Sequence, residues 1–213
     1  MPGRLYEATW GRLFALGYDR FMAASERAGL RDRRRALLAG ARGATLEIGA
    51  GTGLNLGLYP AAVSDLVLTE PSPHMAARLR AKLGADPRAR VVEAPAERLP
   101  FEPDRFDTVV ATLVLCTVPE PAAALREISR VLRPEGRLLF LEHVRAPAQR
   151  LARWQDRLEG PWRVFGAGCH CNRDTAAGME ASALRIEDLD RGEIPRAVPI
   201  VRPLIVGTAR PVG

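Results

Sequence analysis

Residues 44–53 read Ala44-Thr45-Leu46-Glu47-Ile48-Gly49-Ala50-Gly51-Thr52-Gly53, and this stretch decides the fold. An apolar run of strand character ends at Ile48. Three glycines at alternate positions then let the chain turn sharply and lie close against a ligand. A dinucleotide fingerprint would read G-x-G-x-x-G and set a pyrophosphate on a helix N-terminus. Here the third glycine comes one residue early, and Glu47 stands two residues before the first. A carboxylate at that place repels pyrophosphate and suits a ligand with a cationic end.

Outward from this loop, short apolar runs alternate with helical patterns. Strands are predicted at Ala44 to Ile48, Leu66 to Thr69, Arg90 to Glu93, Thr108 to Leu113 and Arg137 to Leu141, with helices at His74 to Leu83 and Pro121 to Leu132. This alternation implies a parallel sheet of right-handed βαβ units. Ala183 to Ile186 and Leu204 to Ala209 make a final antiparallel couple, for seven strands. Residues 4 to 40 read as helical and arginine-rich, broken at Gly29 and Gly40. The domain reading is therefore an N-terminal helical extension or cap over 1–40 and one α/β domain over 41–213. Residues 145–182 form an insertion between its fifth and sixth strands.

Glu70 follows the second strand, 23 residues after Glu47, where a carboxylate can accept both hydroxyls of a ribose. Next come Glu93-Ala94-Pro95-Ala96-Glu97-Arg98-Leu99-Pro100-Phe101 and Phe106-Asp107, then Leu132-Arg133-Pro134 ahead of the fifth strand. In this order, over residues 44 to 142, the chain resembles the class I S-adenosylmethionine-dependent methyltransferases. The resemblance implies a Rossmann-like seven-stranded sheet, order 3-2-1-4-5-7-6, with helices on both faces. It implies S-adenosyl-L-methionine as cofactor and S-adenosyl-L-homocysteine as product. Glu47, Gly49, Ala50 and Gly51 would hold the amino-acid end, Glu70 the ribose, and Pro71, Ala96 and Glu97 the adenine. Thr112 would lie beside the cofactor.

The likeness narrows through Thr112-Leu113-Val114-Leu115-Cys116-Thr117-Val118, Glu142-His143-Val144, Trp154-Gln155, Pro161-Trp162, Gly168-Cys169 and Asn172-Arg173. These are similar to the methyltransferase-like group that includes the alkyl thiol methyltransferases, which implies a small-molecule thiol as acceptor. O-, C- or N-methylation of a small molecule, quinone precursor or phospholipid stays open, as does cofactor binding without turnover. The chain departs from the group in three places. An arginine-rich helix replaces an apolar N-terminal anchor, Glu135 stands where glycine is usual, and His170-Cys171 interrupts a Gly-Cys-Asn run. His143, directly after the fifth strand, is the first candidate for a base or substrate-positioning group, and His170 the second. Tyr18, Cys116, Asn172 and Arg173 are the candidate acceptor pocket.

The 213 residues suffice for one domain, and 47% hydrophobic with 26% charged residues is a globular balance. No secretory leader or spanning segment is legible, so a cytoplasmic protein is expected, with peripheral membrane contact through the N-terminal helix left open. The net charge of +6 is carried by arginine, Lys82 being the one lysine. Its dense run, Arg31, Arg33, Arg34 and Arg35, reads as a solvated surface. Ala111-Thr112-Leu113-Val114 offers no Asn/Asp-Pro-Pro-aromatic cradle for a flipped base, so no nucleic-acid partner is expected. Cys169-His170-Cys171 suggests a metal cluster but lacks a second ligand pair, and no metal is expected. Oligomeric state is not legible.

Overall fold

The computed structural model describes residues 7–212. Positions 4–6 of the expected N-terminal helix lie outside that range. A π-helical turn at Glu7–Gly11 leads into α1 (Arg12–Ser25), and a second at Glu26–Leu30 leads into α2 (Arg31–Leu38). Gly29 sits at φ 122° inside the second turn, a conformation that bends the path between the two helices. The elements that follow are β1 (Gly43–Ile48), β2 (Val63–Thr69), α3 (Pro73–Leu83), β3 (Ala89–Val92), β4 (Phe106–Thr112), α4 (Pro121–Val131) and β5 (Leu132–His143). Then come α5 (Gln149–Phe165), α6 (Thr175–Glu180), β6 (Leu184–Glu193) and β7 (Pro203–Pro211). Among the described residues no helix is long and apolar enough to cross a membrane.

The seven strands form one sheet in the order β3-β2-β1-β4-β5-β7-β6, as the family resemblance implies. Strands β1 to β5 pair in parallel, and β7 runs antiparallel to both β5 and β6. β1 and β4 are buried almost throughout, which accounts for their near-continuous apolar sequence. Neighbouring residues on β4 enter different core layers: Val109 packs with Leu125, Ile128 and Met179, and Val110 with Leu38 and Leu79. The helices therefore flank the sheet on both sides.

α4 shows how sequence becomes packing. Pro121 starts the helix at a position where a missing N–H costs nothing, and Leu132 ends it by turning extended. The stripe Ala124, Leu125, Ile128 and Val131 is buried against the sheet, each large side chain contributing about 2 kcal/mol of apolar burial.

Two elements are longer than their sequence patterns suggest. β5 starts at Leu132 rather than Arg137, and β6 runs on through Glu187-Asp188-Leu189-Asp190-Arg191-Gly192-Glu193. The pairing with β7 drives this extension, because the polar segment has no alternation of its own. A register irregularity lies between Ile186 and Asp188. Just beyond it Gly207 pairs with Leu189, and a glycine is needed there, since a Cβ would stand 2.1 Å from the carbonyl oxygen of Asp188.

Candidate functional site

β1 has β2 on one side and β4 on the other, so the chain leaves its C-terminal end at the point where the connections reverse direction. Open α/β sheets place ligands at that point. There Gly49, Gly51 and Gly53 all take positive φ, at 57°, 58° and 83°. A Cβ on Gly49 would come within 2.1 Å of Val114 Cγ2, whereas a Cβ on Gly51 would find only the Gly49 carbonyl, at 4.0 Å. The first glycine serves packing beneath the loop, and the second keeps space open above it.

A cleft lies over this loop, lined by Tyr18, Arg34, Glu47, Gly49, Ala50, Gly51, Leu54, Asn55, Thr112 and Leu113. Its floor is a buried polar network. Glu47 accepts from Asn55 Nδ2 at 2.9 Å and from the Tyr59 hydroxyl. Arg34 donates from Nε to Glu26 at 3.0 Å and from Nη1 to Asn55 Oδ1 and Thr112 Oγ1 at 3.1 and 2.9 Å. Arg34 is only 2% exposed, so the solvated reading of the 31–35 run is corrected at this residue. Four cationic residues within five positions hid the inward one, because their helical phase was masked by uniform charge. Burial pushes the Glu47 carboxyl up to about 7, against the lowering effect of its bonds from Tyr59 and Asn55 and of nearby Arg34.

The expected cofactor residues divide into two groups. Glu47, Gly49, Ala50, Gly51 and Thr112 line the cleft, while Glu70, Pro71, Ala96 and Glu97 do not. Glu70 is tied to the loop, accepting from Gly51 N and Ser72 N at 2.9 Å each. Ala96 is buried, and Glu97 accepts from Glu120 N at 3.4 Å. Arg34, Leu54, Asn55 and Leu113 are lining residues the sequence did not single out.

The segment after β4 is shaped by two unusual residues. Leu113 adopts φ 56°, which costs a non-glycine residue roughly 1–2 kcal/mol. Glu142, fully buried at the end of β5, takes up the consequence: its Oε1 accepts from Val114 N at 3.0 Å and from Leu115 N at 3.1 Å. Burial raises Glu142 to about 7 despite those two bonds. The turn delivers Cys116, whose Sγ contacts the Leu113 carbonyl at 3.7 Å.

Beside the cleft, three buried side chains converge. His143 Nε2 and Trp162 Nε1 reach Cys169 Sγ at 3.0 and 3.1 Å, and Cys116 lies in the same group. Hydrogen bonding by Cys116, and then the neighbouring His143 and Trp162, lower the Cys169 thiol well below its ordinary range against the effect of burial. Burial would lower His143, but Cys169 outweighs this and raises it. His143 Nδ1 and Glu142 Oε2 are buried with no hydrogen-bond partner among the described residues, an arrangement that asks for a polar guest. Tyr18, on the cleft wall, senses both Cys116 and Cys169 electrostatically, and desolvation pushes its phenol up to about 12.

The remaining candidates are engaged elsewhere. His170 Nδ1 pairs with Glu159 at 2.7 Å, and Asn172 donates to Asp156 at 3.0 Å. Arg173 donates to the carbonyls of Leu115 and Val118, bracing the Cys116 loop. The metal cluster suggested by Cys169-His170-Cys171 does not assemble: His170 is on Glu159, and Cys171 Sγ contacts the Gln155 carbonyl at 3.5 Å. Of the insertion's aromatics, Trp162 joins the cysteines, while Trp154 and Phe165 are 48% and 50% exposed. Asp19, on α1, accepts from Thr52 Oγ1 in the glycine loop and pairs with Lys82 at 2.6 Å.

A protein-family model described as a methyltransferase domain matches residues 46–140. The thiol S-methyltransferase TMT1B of Homo sapiens is 37% identical over 179 residues, covering 81% of this chain and 73% of that protein. A phosphatidylethanolamine N-methyltransferase of Cereibacter sphaeroides is 38% identical over 115 residues, 52% of this chain and 56% of that protein. Among solved structures, geranyl diphosphate methyltransferase in complex with SAM superposes with a TM-score of 0.71 at 16% identity, covering 92% of this chain and 91% of that one.

Proposed function

Because this chain belongs to the S-adenosylmethionine-dependent methyltransferases and uses that cofactor, we propose that it transfers the methyl group to a small-molecule thiol. The carrying observation is the extent of the likeness. The thiol methyltransferase match runs over 179 residues, well beyond the domain match at 46–140, whereas the phospholipid methyltransferase match covers 115 residues. Acceptor choice resides in the less shared parts of such chains, so the longer match is the more informative one.

The residues present fit the cofactor. It carries a sulfonium, an ammonium and a carboxylate, and the cleft offers both signs of charge: Glu47 for the ammonium, Arg34 for the carboxylate. Gly51 leaves the open side that a bulky ligand needs, and Glu70 stands at the loop's edge for the ribose hydroxyls. In this reading Gly49, Ala50 and Thr112 shape the floor, and Pro71, Ala96 and Glu97 hold the adenine end. When bound, the cofactor supplies an electrophilic methyl that a thiolate takes by in-line displacement.

The protein's part is alignment and exclusion of water. Cys116, His143 and Cys169 make the polar wall of the acceptor subsite, and Tyr18 lines the neighbouring cleft. His143 acts by positioning, since its Nε2 is already held by Cys169. Arg173 keeps the Cys116 loop in place. Residues 7–38 cap the cofactor, and residues 145–182 close the acceptor side.

The test is an acceptor panel of aliphatic and aryl thiols, phenols, quinol analogues and phosphatidylethanolamine, with S-adenosylhomocysteine and methylated product read by mass spectrometry. Thiol methylation that vanishes in Gly51→Arg is the expected result. Turnover confined to phenols, quinols or lipid refutes the thiol assignment and leaves the cofactor site standing.

Glu47 predicts a pH dependence for cofactor binding. With its pKa at about 7 in the free protein, the carboxyl is protonated at pH 6 and must ionise to meet the ammonium. Affinity should therefore rise about tenfold per pH unit below 7 and level off above it. Calorimetric titration with S-adenosylhomocysteine from pH 5.5 to about 8.5 checks this. A flat profile in the parent, or the same slope retained in Glu47→Gln, would overturn it.

A further inference from the structure

We propose that Cys116, His143 and Cys169 form a three-ligand site for a thiophilic divalent cation, zinc in the first instance, with the fourth coordination position left for the acceptor sulfur. The identity of that fourth ligand rests on the thiol reading above; the cation site itself does not. The two Sγ atoms and a ring nitrogen all lie within 4.8 Å of one another, and all three residues are buried.

Three features of the fold build this convergence. Cys116 arrives on the turn after β4 that Glu142 holds by two backbone N–H groups. His143 is the last residue of β5. Cys169 follows α5, and the hydrogen bond from His170 N to the Cys116 carbonyl, at 2.9 Å, fastens that segment to the Cys116 loop. Chain segments separated by 26 residues or more are thus brought to one point.

The donor set is selective. Two sulfurs and an imidazole suit zinc and other soft or borderline cations, and the absence of a carboxylate among them disfavours magnesium and calcium. Three protein ligands rather than four is the pattern of zinc sites that keep a position open for chemistry. Trp162 Nε1, 3.1 Å from Cys169 Sγ, supplies an outer N–H that would steady a ligating sulfur. The Nε2 to Sγ separation of 3.0 Å is that of a hydrogen bond. Zinc bonds of ~2.0 Å to nitrogen and ~2.3 Å to sulfur at a tetrahedral angle place the two atoms about 3.5 Å apart. Loading the site therefore replaces the shared proton and parts the ring and the sulfur by about half an ångström.

With the cation in place, an incoming thiol loses its proton to water on coordination. Its sulfur then forms the bond to the methyl carbon as the carbon–sulfonium bond breaks, and the electron pair stays on the cofactor's sulfur. The neutral thioether formed is a poor ligand and departs.

Cobalt titration of metal-free, reduced protein tests the site directly. The expected result is one cobalt per chain with a thiolate-to-cobalt charge-transfer band and the visible bands of a tetrahedral ion, both erased by zinc. Cys116→Ser and Cys169→Ser should each weaken binding on the order of 100-fold while circular dichroism stays unchanged. Cys171→Ser, which alters a buried sulfur outside the cluster, should bind as the parent does. A parent protein that gives no cobalt spectrum overturns the proposal, as does a Cys171→Ser loss equal to that of Cys169→Ser. The two readings separate cleanly. A tetrahedral cobalt spectrum without thiol turnover upholds the cation site and sinks the thiol acceptor. Full thiol turnover in metal-free protein that gives no cobalt spectrum does the reverse.

Discussion

Replacing Arg34 with methionine should weaken S-adenosylhomocysteine binding by about 100-fold, the cost of one charge-assisted contact made by a buried guanidinium. Two effects combine. The guanidinium is the cationic group on the cleft lining, and its Nη1 also aligns Asn55 and Thr112, the first of which holds Glu47. Methionine keeps much of the apolar stem but leaves Glu26 buried without its 3.0 Å ion-pair partner. Some loss of stability follows, on the order of 3 kcal/mol for a broken buried pair. Isothermal titration alongside urea unfolding separates the two. Arg34→Met combined with Glu26→Gln should recover stability and leave binding impaired. Recovery of binding in the double variant would assign Arg34 a purely structural role.

Gly49→Ala should be among the most destabilising methyl additions available in this chain. A Cβ at Gly49 would stand 2.1 Å from Val114 Cγ2 and 2.9 Å from Val114 Cβ, and the residue sits at φ 57°. Left-handed strain costs about 1–2 kcal/mol, and forcing a side chain into a packed layer about 1–3 more. A loss of roughly 3–4 kcal/mol is therefore expected in chemical denaturation. Gly51→Ala is the contrast: it shares the positive φ but meets no neighbour closer than 4.0 Å, so only the backbone cost of about 1 kcal/mol applies. Equal losses at the two positions would show that the loop yields to Val114 rather than being held by it.

The parallel half of the sheet was legible because local and global signals coincide there. Apolar runs such as Thr45 to Ile48 and Thr108 to Thr112 are buried on both faces, and the glycine loop marks the end of the first. The residues of that loop that line the cleft were legible for the same reason. Arg34 was not, since nothing in Arg31-Asp32-Arg33-Arg34-Arg35 distinguishes the one side chain that turns inward. Nor was the grouping of Cys116, His143 and Cys169. Proximity in sequence favoured Cys169-His170-Cys171, but consecutive side chains leave the backbone in different directions, and only the tertiary fold sets partners 26 to 53 residues apart side by side. The reach of β6 was hidden too, because its outer half has the composition of a loop and becomes strand only through β7.

That outer half of β6 has a bearing on how the molecule behaves in a crowd. A sheet margin is a row of backbone donors and acceptors that another chain can extend, and fibrils grow by that addition. Here one margin, β3, is only four residues long. The other carries exposed Arg185, Glu187, Asp188, Asp190, Arg191 and Glu193 and is kinked between Ile186 and Asp188. A strand trying to zip onto it would have to strip water from six charged groups and follow a bend. Neither margin of the sheet is thereby a ready template for another strand.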